Sequence, residues 1–95
     1  MPTISITVKT FAAIREVADA VIVLDIAEGA TIRMLLDTLT ARYDGLGELL
    51  FTETGDLRKL VNILKNGRNI HFLEGLDTII EQGDVIALFP PVAGG

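Results

Sequence analysis

From Thr3 to Lys9 branched apolar and short polar side chains alternate, with Ile4, Ile6 and Val8 on one side and Thr3, Ser5, Thr7 and Lys9 on the other. This two-residue period predicts a strand with one buried face. Phe11 to Val17 loses the alternation and is rich in helix formers, so a loop or short helical turn is expected. Ala20 to Ile26 is again β-branched, which predicts a second strand facing inward through Ile22, Leu24 and Ile26. Its other side carries Val21 and Val23, and two readings stay open there: a contact surface, or apolar side chains scattered on an ordinary surface.

A helical period follows the Glu28-Gly29 turn. Ile32, Leu35, Leu36, Leu39 and Tyr43 recur on one face, and Thr31 is placed to cap the first turn through its hydroxyl. Leu46 to Lys59 has no clear period and is expected to be variable surface structure, with one helical turn near Gly47–Phe51 and a bend at Thr54-Gly55-Asp56. Leu60 to Lys65 predicts a strand, and Asn66-Gly67 a tight hairpin turn, because both residues tolerate positive φ. A short returning strand is expected over Asn69 to Leu73. Thr78-Ile79-Ile80, between two turn-rich stretches, suffices for a bridge only. Asp84 to Phe89 is a continuous apolar run, the mark of a central strand covered on both faces.

The order β, β, α, β, β, β, with hairpins on either side of one long helix, predicts an α+β fold: a mixed sheet of four to five strands packed on that helix. Ninety-five residues suffice for one domain with one core. We divide the chain into a folded domain, 1–89, and a tail, 90–95.

Composition narrows the chemistry. The chain has no cysteine, which excludes disulfides, thiolate metal sites and cysteine nucleophiles. Its net charge of −5 argues against direct nucleic-acid binding. No segment reads as a secretory signal or a membrane span, so a cytoplasmic protein without a membrane partner is expected. The single histidine, His71, has no ligand-spaced partner, the single serine, Ser5, sits in a strand, and no phosphate-cradling loop is present. We therefore expect a domain without catalytic residues or a metal of its own. From Glu74 onward there are four acidic residues and no Lys or Arg. The sequence places this excess near the root of the tail, either as a docking field for a basic partner or as a plain solvated face.

The tail is Pro90-Pro91-Val92-Ala93-Gly94-Gly95. Two prolines stiffen it and direct it away from the body, and six residues reach on the order of 20 Å. The terminal glycines, lacking Cβ atoms, pass through a slot that bars other residues, and an α-carboxyl at Gly95 is anionic at neutral pH. Such a tail is suited to delivering a carboxylate into another protein's active site; small, disordered chain ends are also common.

Three motifs decide between these readings: Phe11-Ala12-Ala13-Ile14-Arg15-Glu16 after the first strand, Lys65-Asn66-Gly67-Arg68 at the hairpin, and Gly83-Asp84-Val85-Ile86-Ala87-Leu88-Phe89 running into the Pro-Pro and Gly-Gly tail. Together they make the chain resemble, along nearly its whole length, the MoaD-type small subunits of molybdopterin synthase, ubiquitin-like sulfur carriers of the β-grasp fold. Asn66 to Ile70, Gly75 to Thr78 and the long 44–59 connection are similar to archaeal members. The resemblance implies that an E1-like enzyme, using ATP and Mg²⁺, adenylates Gly95. A thiocarboxylate then forms there and supplies dithiolene sulfur through a large synthase subunit. It further implies that Phe11 and Phe89 dock beside the tail residues Pro90, Pro91, Val92, Ala93 and Gly94, although both rings would equally suit a core. Some archaeal relatives are also conjugated to target lysines, and transfer RNA thiolation is a further outlet for the same sulfur.

Overall fold

The computed structural model describes residues 2–91. Its five strands form one mixed sheet, and the sheet positions everything else. In chain order they are β1 (Thr3–Thr10), β2 (Val21–Ala27), β3 (Asn62–Lys65), β4 (Arg68–Asn69) and β5 (Val85–Phe89). Their spatial order is β2-β1-β5-β3-β4. β1 and β2 pair as an antiparallel hairpin, β5 lies parallel to β1, and β3 runs antiparallel to β5. The last strand is therefore inserted at the centre, where it joins the two hairpins.

The main helix, α1 (Ile32–Arg42), covers one face of the sheet. Its stripe of Ile32, Leu35, Leu36 and Leu39 is fully buried, against Ile6, Val8, Ile63, Ile86 and Leu88 from the strands. Thr31 caps the helix as its sequence predicts, with Oγ1 accepting from the Met34 amide at 3.3 Å. The Asn66-Gly67 turn also forms as expected, with φ of 51° and 85°. This is the β-grasp arrangement, with the helix held in the curl of the sheet.

Four expectations need correction. The 46–59 connection is not merely surface: α2 (Leu46–Leu50) turns Leu46 and Leu50 wholly into the core, where they close one end beneath α1. The third strand begins at Asn62, two residues later than expected, because the Val61 amide bonds back to the Arg58 carbonyl and leaves Leu60 exposed in a turn. The returning strand stops at Asn69, whose side-chain oxygen accepts from the His71 amide at 2.9 Å. That bond starts a 3-10 turn over Ile70–Phe72 and leaves Phe72 80% exposed. Lastly, β5 is central but not covered on both faces: Ile86 and Leu88 are buried against the helix layer, while Val85, Ala87 and Phe89 remain half-buried on the open side. Thr78-Ile79-Ile80 is a bridge only, with Ile79 opposite Thr31.

Candidate functional site

The site is the end of β5, and its neighbours follow from register. Phe89 lies opposite Asn62 of β3, and Leu88 lies between Thr10 of β1 and Ile63. Pro90 is buried and Pro91 half-buried, so the packed body continues past Phe89. Val92, Ala93, Gly94 and Gly95, the tail residues expected to react or to pass through a slot, lie outside the described residues.

Phe11 reaches this point because β1 ends at Thr10 and the chain turns sharply. Thr10 is completely buried; its hydroxyl donates to the Asp19 carbonyl at 2.9 Å and its amide to the Ala20 carbonyl at 3.0 Å, which closes the 10–20 loop. Ala12 then takes φ of +52°, a left-handed conformation that costs a residue with a Cβ about 1 to 2 kcal/mol. A 3-10 turn over Ala12–Glu16 follows, anchored by the fully buried Ile14. Backbone strain beside a functional junction is informative, because the surroundings must enforce it.

This turn lays Phe11 flat on Phe89. Their ring centroids are 4.3 Å apart and the planes differ by 8°. The Arg15 guanidinium sits over the Phe11 ring at 5.0 Å, and its Nε donates to the Thr10 carbonyl at 2.7 Å. Arg15, Phe11 and Phe89 thus form a stack at the place where the tail departs. Both rings are half-buried, so they are neither plain core nor free surface. The two expected docking residues are brought together. Arg15 was not expected at the site, although it lies four residues after Phe11 in a segment able to form a helical turn.

The open face of the sheet extends from this stack. Thr7 pairs with Val23 and with Val85, and Lys9 pairs with Val21 and with Ala87. Val21 and Val23 are 56% and 67% exposed. Leu64 stands beside Ala87, and Asn69 bonds Asn62 through their side-chain amides at 3.1 Å. The open face therefore carries apolar side chains on β2 (Val21, Val23) and on β5 (Val85, Ala87, Phe89), separated by Thr7 and Lys9 of β1.

The acidic excess lies elsewhere. Asp84 precedes β5 and Phe89 ends it, so a strand length of about 17 Å separates the two. Glu81 and Asp84 are also engaged with a cation: Lys65 Nζ lies 3.1 Å from Glu81 and 3.4 Å from Asp84, and donates to the Ile79 carbonyl at 2.9 Å. Closeness in sequence had suggested an acidic root for the tail, but a strand carries its two ends to opposite edges of the fold. Burial would lower the Lys65 pKa, but the hydrogen bond to Glu81 and the charge of Asp84 outweigh it and the net shift is upward.

Among the described residues no group of three His, Asp or Glu side chains is placed to hold a metal, and no helix is long and apolar enough to cross a membrane. The arrangement is a half-apolar junction at the end of the central strand.

Comparison with known proteins agrees with this geometry. A family model described as the ThiS family matches residues 8–95. The chain is 42% identical over 88 residues to small archaeal modifier protein 3 of Haloferax volcanii, covering 92% of this chain and 95% of that protein. It is 38% identical over 71 residues to the sulfur carrier protein CysO of Mycobacterium tuberculosis, covering 73% and 76%. The solved structure of a putative molybdopterin converting factor subunit 1 from Pyrococcus furiosus superimposes with a TM-score of 0.74 at 32% identity, covering 94% of this chain and 99% of that one. With its strand order, its Phe11–Phe89 junction and a family model matched from Val8 to Gly95, the chain belongs to the ThiS family of ubiquitin-like sulfur carriers.

Proposed function

We propose that the protein carries sulfur on Gly95 for the dithiolene of a molybdenum or tungsten cofactor. The observation that carries this reading is the stack of Phe89 on Phe11 at the end of the central strand, which fixes where the tail leaves the body. A partner that binds the open sheet face and this stack receives the tail at a set distance and direction. Likeness to a putative molybdopterin converting factor subunit supports the destination of the sulfur.

The chemistry takes place in the partners. An E1-like enzyme binds ATP and Mg²⁺, the Gly95 carboxylate attacks the α-phosphate, and pyrophosphate leaves. The acyl carbon of the resulting adenylate is electrophilic. A sulfur nucleophile adds there, AMP departs, and a thiocarboxylate remains on Gly95. A large synthase subunit then holds the pterin precursor to which that sulfur is transferred. Pro90, Pro91, Val92, Ala93 and Gly94 form the narrow part of the tail, and Phe11 and Phe89 its docking base.

A second reading has its own support: 42% identity to a small archaeal modifier protein. In that reading a lysine amine of a target, rather than sulfide, intercepts the adenylate, and Gly95 ends in an isopeptide bond. Intact-protein mass spectrometry of the native protein separates the two. A species heavier by the exchange of one oxygen for sulfur at Gly95, formed with the E1-like enzyme, ATP and a sulfur donor, is expected. Absence of that species alongside Gly-Gly remnants on target lysines would transfer the function to conjugation.

A further inference from the structure

The inner edge of the fold holds a pocket that the tail chemistry does not use. It opens between the 57–63 segment and the 69–76 loop and has a volume of about 460 Å³, within the range of ligand pockets and roomy enough for a large side chain with its flanking backbone. Its floor is apolar: Val61, Ile63 and Ile70 are buried core residues, and Leu57 and Leu76 are half-buried beside them. Its border carries Arg58, Lys59 and His71, and no carboxylate lines it among the described residues. In a chain of net charge −5 this is a local reversal of sign.

The border is held in place. Arg58 Nε donates to the Glu48 carbonyl at 2.9 Å, which ties the side chain to α2. Asn69 holds the opposite wall, accepting from the His71 amide and donating to the Asn62 side chain. Arg58 also borders a shallow groove containing Glu48 and Glu53, yet neither carboxylate comes within ion-pair distance of it, and Lys59 has no acidic partner either among the described residues. An apolar well with unpaired cations at its mouth is complementary to an apolar group flanked by negative charge.

We propose that this pocket binds an acidic peptide segment of a partner protein through one apolar anchor, preferably an aromatic ring. The ring fills the well over Ile63 and Ile70, and the flanking carboxylates meet Arg58 and Lys59. Ile63 of the pocket floor is the register partner of Leu88, so the pocket lies beside the last strand. The inference stands apart from the chemistry of Gly95, since a protein that gained no thiocarboxylate would still present the same pocket.

The test is a titration of the full-length protein, followed by amide chemical shifts, with a synthetic peptide carrying one Phe between two Asp-Glu pairs. Saturable shifts at Val61, Ile63, Ile70 and Leu76 are expected, with no saturation by the matching peptide built from Lys and Arg. Lys59→Glu, an exposed position that leaves the core untouched, should weaken the acidic peptide about tenfold, or 1.4 kcal/mol. Equal binding of the basic peptide, unchanged affinity in Lys59→Glu, or shifts confined to Val21, Val23 and Phe89 would each overturn the proposal. Benzoate binding as tightly as the peptide would assign the pocket to a small molecule and overturn it as well.

Discussion

The two ends of β5 are held by opposite kinds of force. At its start, Asp84 accepts from Asn66 Nδ2 and from the Glu81 amide, each at 2.8 Å, while Asn66 Oδ1 accepts from the Val85 amide at 2.9 Å and Lys65 completes the cluster. At its end, Phe89 is held by a ring stack with a guanidinium above it. Directional bonds at the start fix the register of the central strand; the apolar junction at the end leaves surface for a partner. The fold thus spends its polar specificity at the end away from the tail and keeps the tail end half-exposed.

The comparison breaks most visibly at Asp84. Asp84→Ala removes the acceptor of two hydrogen bonds at a site only 6% exposed and leaves Lys65 with a weaker partner. A loss of about 3 kcal/mol in denaturant unfolding is expected. Thiocarboxylate formation at Gly95, measured where the variant is still folded, should stay close to that of the unsubstituted protein. At the other end the pattern inverts. Phe11→Ala removes the ring beneath Arg15 and against Phe89, and KM for the activating partner should rise about tenfold with kcat largely retained. Unfolding stability should fall by only about 1 kcal/mol, because the ring is half-buried. A variant in which stability and KM moved together would show that the stack is merely core.

Ala12 sharpens the contrast at smaller scale. Its φ of +52° is a strain that glycine would relieve, by about 1 to 2 kcal/mol in the folded state. The added freedom of the unfolded chain takes back about half of that. Ala12→Gly should therefore raise stability by about 0.5 to 1 kcal/mol, read from the unfolding midpoint, while KM for the activating partner rises about twofold as Phe11 loses its fixed approach.

These asymmetries also explain which parts of the molecule were legible in its sequence. Thr31, Asn66-Gly67 and the leucine stripe act through local geometry, so their roles followed from residue type and spacing. The junction of Phe11 with Phe89 was reached only through resemblance, since nothing local relates residues 78 positions apart; parallel pairing of β1 with β5 brings them together. The helical turn near Gly47–Phe51 is legible and forms as α2, but the burial of Leu46 and Leu50 is not, because five residues are too few to display which face turns inward. Phe72 was placed in a strand because apolar neighbours do not reveal that the Asn69 side chain will compete for the backbone. The acidic run was put at the wrong end because distance along a chain is not distance across a sheet. Arg15 and the strain at Ala12 depend on the sign of a backbone angle, which an alanine does not announce.

A further expected effect concerns the charge at the start of β5. In the folded protein Lys65 is half-buried, which alone would depress its pKa, but its hydrogen bond to Glu81 and the field of Asp84 more than compensate and raise it above the ordinary lysine value. A cation whose pKa is higher folded than unfolded contributes its full stabilisation below the unfolded value and loses it as pH climbs through the folded one. Lys65→Met should thus be less stable than the unsubstituted chain at pH 8, by about 1 kcal/mol given that the Glu81 partner is largely solvated. The gap should narrow above pH 10.5, as Lys65 itself becomes neutral. Phe11→Ala measured over the same range should show no such convergence, because its contacts are apolar and its cation is a guanidinium that does not titrate there. Convergence in the Lys65 variant alone would assign the alkaline sensitivity to the start of β5, and convergence in both would refute the division of forces between the strand's two ends.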